Sequence, residues 1–172
     1  MSPAADLLFT PTRLGDIAVA NRIAMAPLTR NRALPDRVPS PLAITYYQQR
    51  ASAGLIIAQA TQISPPGQGH LDTPGLYRDA QVAAWKSVTD AVHAEGGRIV
   101  LQLWHVGRIS HTSLLPEGEV PVAPRAIRAN GKTLTANGFE EGSAPRGRAM
   151  EEIRARIEDD GSAAGKGMAA GC

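Results

Sequence analysis

Cysteine is all but missing from this chain: Cys172 is the one example in 172 residues. A disulfide framework and a cysteine-rich metal site are both excluded. The lack fits a reducing compartment, and the expectation is a cytoplasmic protein. A secretory leader is not expected either. Met1-Ser-Pro-Ala-Ala-Asp6 has neither the basic start nor the apolar stretch of a signal peptide. The longest aliphatic run is about one strand long, so no segment reads as a membrane span. There is no strong excess of one charge. The net charge is +2, and the basic residues are scattered along the chain. That pattern gives no electrostatic footprint for nucleic acid. The four histidines, His70, His93, His105 and His111, contain no pair at the spacing of a helical metal site. Internal repeats and low-complexity tracts are absent as well.

What is present suits one globular domain over residues 1–172. Apolar residues make up 43% and charged residues 20%, enough to bury a sizeable core. Leu7-Leu-Phe-Thr-Pro11 and Ile17-Ala-Val-Ala20 flank Gly15-Asp16, which predicts an N-terminal hairpin. Asn21 to Leu28 reads as a strand closed by Pro27, which has no amide proton for a ladder. Ser40-Pro41 opens a helix, and Gly54 is placed to end it. Leu55–Ala58 is a second strand, and Ile63–Gly75 a loop rich in Pro and Gly. Asp79 is expected to cap a second helix, with Val82, Trp85, Val88 and Val92 on its apolar face. Gly96-Gly97 ends that helix, and Arg98–Trp104 is the third strand. Residues 105–149 read as an irregular excursion. A helix begins near Glu151-Glu152, acidic residues that suit a first turn. Gly161, Gly165, Gly167 and Gly171 then predict a frayed tail over 161–172.

Apolar strands alternating with amphipathic helices make an α/β protein with a parallel sheet. A doubly wound sheet and a (β/α) barrel fit this pattern equally well.

Two glycine clusters imitate nucleotide sites and fail. Gly161-Ser-Ala-Ala-Gly-Lys-Gly167 is one residue too short for a phosphate loop, lacks the final hydroxyl, and follows no strand. Gly67-Gln-Gly69 lacks the third glycine of a dinucleotide fingerprint, and a loop follows it. Among single residues, His93 suits the C-terminal end of its helix. His105 and His111 follow the third strand and read first as loop polar contacts. Alternation along that strand puts Val100, Gln102 and Trp104 on one face and Ile99, Leu101 and Leu103 on the other. An amide among apolar neighbours needs a partner if it is buried. From alternation alone, Gln102 reads as a core amide or as a ligand contact.

Two longer segments decide more. Asn21-Arg-Ile-Ala-Met-Ala-Pro-Leu-Thr-Arg30 and Gly97-Arg-Ile-Val-Leu-Gln-Leu-Trp-His-Val-Gly-Arg108, with Ala51-Ser-Ala-Gly-Leu-Ile-Ile57 and Ala60-Thr-Gln-Ile63 between them, carry a resemblance. The stretch from Leu8 to Ser110 resembles the N-terminal part of the Old Yellow Enzyme family, the FMN-dependent ene-reductases of the N-ethylmaleimide reductase and xenobiotic reductase type. The resemblance implies the barrel: an incomplete TIM (β/α)8 barrel of about the first three β/α units. It implies that Pro27 and Leu28 lie against the flavin ring and that Thr29 bonds near the flavin C4 carbonyl. By the same resemblance Ala60 is the small residue touching the ring, Gln102 binds the pyrimidine edge, and Trp104 borders the substrate pocket. His70 falls in that pocket where the family usually has tyrosine, and Gln59 stands where an acidic residue is usual. FMN would be the cofactor, NAD(P)H the reductant, and small-molecule enones the substrates.

The resemblance also sets expectations for what this stretch omits. The substrate-gripping His/Asn or His/His pair, the tyrosine proton donor and the flavin phosphate site would all lie beyond Cys172. An N-terminal fragment is therefore expected, with no catalytic residue of its own and FMN held weakly or not at all. Two alternatives stand beside the enzyme: a non-catalytic flavin-binding or assembly module, and a truncated gene product without function. Self-association, or a complementary barrel half, is the expected partner.

Overall fold

The computed structural model describes residues 3–172. The chain runs through α1 (Pro3–Leu8), β1 (Thr12–Leu14), β2 (Ile17–Val19), β3 (Ala24–Met25), α2 (Leu42–Gln48), β4 (Leu55–Gln62), α3 (Asp79–Ala94) and β5 (Ile99–Trp104). It continues through β6 (Val122–Ala123), β7 (Lys132–Thr135), β8 (Gly138–Glu141), β9 (Arg146–Gly147) and α4 (Met150–Ala169). Strands β3, β4 and β5 form one parallel sheet in that order. Each is followed in sequence by a helix, α2, α3 and α4 in turn. Strands β1 and β2 pair as a separate antiparallel hairpin.

The core lies between the sheet and its helices. Tyr47, Ile56, Ala58, Trp85, Val88, Val92 and Ile99 are buried together, with Leu101 and Leu103 packed on them. Sinking Val88 and Val92 contributes roughly 1.5–3 kcal/mol each, so the predicted face of α3 is the one that holds the helix down.

Several local expectations are corrected. Leu7 and Leu8 are helical, not extended. The hydroxyl of Thr10 donates to the Leu7 carbonyl at 2.8 Å, closing the helix end, and the first hairpin strand starts only at Thr12. The strand predicted over 21–28 has just two laddered residues. Asn21 takes over part of the pairing there: its Oδ1 accepts the amides of Ile23 (3.1 Å) and Gly54 (2.8 Å), and its Nδ2 donates to the Ser52 carbonyl (2.8 Å). Helix α2 stops at Gln48, so Gly54 is no helix cap. A Cβ on Gly54 would sit 2.1 Å from the Asn21 carbonyl oxygen, so the position serves close backbone approach. Asp79 does not cap α3. Arg78 holds the cap position, and Gln81 Oε1 accepts its amide at 3.1 Å.

The excursion over 105–149 is more ordered than expected, because β7 and β8 form an antiparallel hairpin turning at Ala136-Asn137, with Gly138 at φ +102° where β8 begins. The tail expected to fray is helical to Ala169. Helix α4 runs through its glycines, with Ala163, Gly167 and Ala170 buried. These small residues let α4 approach closely: Gly167 lies against Leu76, and the Thr89 hydroxyl on α3 donates to the Ala170 carbonyl. Packing outweighs the helix penalty of glycine here.

Candidate functional site

The site is built on the ends of β3, β4 and β5. A parallel (β/α) sheet presents ligands at the C-terminal ends of its strands, where the chain leaves the ladder and backbone and side-chain groups are free. Strand β4 contains an irregularity there. Ala58 pairs with Leu101, but the next pair is Ala60 with Gln102, so Gln59 is an extra residue. Such a bulge lets one residue drop out of the alternation. Gln59 joins the cavity lined by Tyr46, Tyr47 and Arg50 on the α2 side. Ala60 thereby takes the face of Gln102.

Gln59 is buried and held from both sides. Its amide donates to the Tyr47 hydroxyl at 2.8 Å, and its Oε1 accepts the Arg30 amide at 3.1 Å. The second bond ties the segment leaving β3, which contains Pro27, Leu28 and Thr29, to the bulge beside Ala60. Burial pushes the Tyr47 phenol up to about 12, despite the hydrogen bond from Gln59. It remains neutral at physiological pH.

Ala60 is buried and Gln102 exposed. Gln102 is thus not a buried core amide. Neither its amide nor the Thr29 hydroxyl has a hydrogen-bond partner among the described residues. Leu28 is 59% exposed, while Pro27 and Thr29 are half-buried. These residues offer one exposed amide, on Gln102 opposite the small Ala60, one hydroxyl and an apolar side chain. That donor set fits the polar edge and flat body of a flavin ring, which needs both donors and acceptors and tolerates no bulk over its face.

His70 and Trp104 are also brought together, with ring centroids 6.4 Å apart. His70 is clamped. Its carbonyl accepts from Gln68 Nε2 and from Thr73 Oγ1, both at 3.0 Å. Its Nδ1 accepts the Leu134 amide at 3.1 Å and lies 2.9 Å from the Thr133 hydroxyl. With Nδ1 an acceptor, the neutral ring carries its proton on Nε2. Burial lowers its pKa, which favours that neutral form. Trp104 Nε1 is buried without a partner among the described residues.

His105, read as a loop contact, is more deeply placed. Its Nδ1 accepts the Gly107 amide at 3.0 Å, and its Nε2 is buried without a partner among the described residues. Burial, then the charges of Arg156 and Arg148, push it down to about 4. His111 lies on the surface, where its ring accepts the Ser113 amide at 3.2 Å. Two features escaped sequence reading: the bulge at Gln59 and the clamp from β7. The first leaves no pattern, because Ala58 to Gln62 are all buried. The second had a signal, the Asn137-Gly138 pair between two short alternating runs.

The family model for the NADH:flavin oxidoreductase / NADH oxidase family matches residues 7–172. The chain belongs to the Old Yellow Enzyme family. It is 42% identical to 12-oxophytodienoate reductase 1 of Oryza sativa subsp. japonica, over 98% of this chain and 43% of that protein. It is 46% identical to chanoclavine-I aldehyde reductase fgaOx3 of Penicillium roqueforti, over 95% of this chain and 43% of that protein. Among solved structures, morphinone reductase matches with a TM-score of 0.90 and 50% identity, covering 95% of this chain and 45% of that one. An Old Yellow Enzyme homologue from Zymomonas mobilis matches with a TM-score of 0.91 and 46% identity, covering 95% and 46%. The chain thus spans less than half the length of the relatives it matches. The fold is a part of the Old Yellow Enzyme barrel. No helix among the described residues is long and apolar enough to cross a membrane.

Proposed function

We propose that these 172 residues form one half of an FMN-dependent, NAD(P)H-using alkene reductase and supply one wall of its flavin site. The observation that carries this reading is the register Ala60↔Gln102, with the Thr29 segment tied beside it through Gln59. Bound FMN would supply the hydride relay from NAD(P)H to the β-carbon of an activated alkene. Gln102 would donate to and accept from the pyrimidine edge, and Thr29 would donate near C4, where charge accumulates on reduction. Pro27 and Leu28 would border the ring, and Ala60 would leave it room. Trp104 and the Nε2–H of His70 would line the substrate pocket. The related proteins are named for a 12-oxo acid, a morphinone and an aldehyde. A carbonyl conjugated to an alkene is accordingly the substrate class, acted on in the cytoplasm.

The chain contributes no proton donor and no substrate-gripping pair in this reading. Positioning and protonation fall to the other half of the barrel. Strands β3 and β5 each pair on one side only, with β4 between them. Open parallel edges with apolar surface favour association, so the chain is expected to self-associate or to bind the complementary half.

The test is direct. The chain is purified with excess FMN, desalted, and its visible spectrum recorded, alone and after co-expression with the C-terminal half of a related reductase. The expected result is little flavin on the chain alone. The assembled pair should be yellow and reduce 2-cyclohexenone with NADPH, and Gln102→Ala should remove most of both signals. A yellow, active pair indifferent to Gln102→Ala would overturn the assignment of this wall. Full turnover by the chain alone would overturn the division of labour.

A further inference from the structure

One cavity of about 380 Å³ lies outside the flavin wall, between the segment leaving β3 and α2. Arg30, Arg32 and Arg50 all line it, and no carboxylate does. Gln59 at its border is neutral and spends its Oε1 on the Arg30 amide. The guanidinium carbons of Arg30 and Arg50 each lie 4.0 Å from the centroid of the Tyr46 ring. Arg50 also donates to the Tyr46 carbonyl at 2.6 Å. The ring therefore holds two cations in place before anything binds. No ion pair among the described residues includes Arg30, Arg32 or Arg50, although several other arginines are paired.

Three like charges gathered without a counter-charge repel one another, and an arriving carboxylate relieves that repulsion. Arginine forks also match a carboxylate in geometry. The surroundings indicate where the carboxylate comes from. Arg30 and Arg32 belong to the segment that leaves β3, and among the described residues β3 pairs only with β4. Leu42 lines the cavity and is 70% exposed, and Leu28, two residues before Arg30, is 59% exposed. A free anion would leave both leucines in water. A protein segment laid along the β3 edge would cover them and bring the charge with it.

We propose that this cavity seats an aspartate or glutamate side chain of the segment that completes the barrel beside β3. The inference rests on the half-barrel reading, and adds an electrostatic latch to it. Assembly is then steered by an acidic group meeting this basic cavity, and weakens with salt.

The experiment co-expresses the tagged chain with the C-terminal half of a related reductase and measures the recovered complex by size exclusion with light scattering. The wild-type chain should give a one-to-one complex whose recovery falls steeply between low and high NaCl. Arg30→Glu with Arg50→Glu should lower recovery at least tenfold, while Lys86→Glu should not change it. Lys86 lies on α3, flanked by α2 and α4 and away from both edges. Circular dichroism checks that each variant folds. A second measurement needs no variant: phenylglyoxal should modify Arg30 and Arg50 in the free chain and spare them in the complex. A complex that tolerates the charge reversal and leaves both arginines reactive would overturn the latch and leave the half-barrel reading standing. No complex with any chain would overturn both. Tight, saturable binding of inorganic phosphate by the free chain, lost in the double variant, would make the site a small-anion site and overturn the segment as its occupant.

Discussion

Ala60 and Gln102 stand opposite each other across the β4–β5 pair because Gln59 drops out of the ladder between Ala58 and Ala60. In an unbroken register, Gln59 would oppose Gln102 and its longer side chain would take the place of Ala60. The bulge is held by the Tyr47 hydroxyl, which accepts the Gln59 amide. Tyr47→Phe leaves that buried N–H without a partner. It should cost about 1–3 kcal/mol, read as a lower midpoint in urea unfolding. A variant as stable as the wild type would mean that the bulge supports itself.

Asn21 and Gly54 test the entry to the sheet. Asn21→Ala removes three hydrogen bonds at a half-buried position and should cost about 1–2 kcal/mol. Gly54→Ala drives a methyl into the Asn21 carbonyl. It should cost more, about 3 kcal/mol, because backbone on both sides must move. Thermal melts of the two variants give the ranking. The reverse order would show that the Asn21 bonds, and not the close approach, set this junction.

Acid should weaken the fold through His105. The folded state resists a proton that the unfolded chain accepts at its ordinary value of 6.5, because burial and two arginines hold His105 down to about 4. Below 6.5 the unfolded chain binds more protons than the folded one. The contribution is therefore complete above 6.5 and is lost as pH falls toward 4. The melting temperature should drop across this window, and His105→Gln should flatten the drop. An equal slope in the variant would assign the acid sensitivity to other groups.

Helix α4 invites a stabilising change. Gly161 and Gly165 are exposed, and a Cβ at either meets nothing within 4 Å. Gly161→Ala and Gly165→Ala should each raise stability by about 0.5–1 kcal/mol. Chemical denaturation can resolve the sum of the pair. No gain would mean that this stretch is loose.

The strand–helix alternation was legible because its signals are local. Trp85, Val88 and Val92 recur at helical spacing, and the Pro- and Gly-rich loops separate the elements. The family motifs assign His70 and Trp104 to a substrate pocket, and the two rings lie 6.4 Å apart. What was not legible depends on distant partners. Glycine content argued against the second half of α4, yet Gly167 meets Leu76 and the helix packs on β5 and α3, whose contribution no window of sequence contains. Gln102 sits between apolar neighbours in sequence and still faces outward, since burial is decided by what covers the strand. The bulge at Gln59 is silent for a similar reason: Ala58 to Gln62 are all buried, so no alternation marks the slip.

The clamp on His70 reaches beyond one side chain. Gly69 accepts from Thr133, His70 accepts from Leu134, the Leu71 amide donates to the Leu134 carbonyl, and Ser110 donates to Gln68. Residues 68–71 are thereby stitched both to Ser110 and to a strand more than sixty residues away. Loop exchange between relatives would have to respect that seam. A graft of residues 63–75 alone would arrive without its matching hairpin, and only a paired transplant of both segments would carry the pocket's shape across.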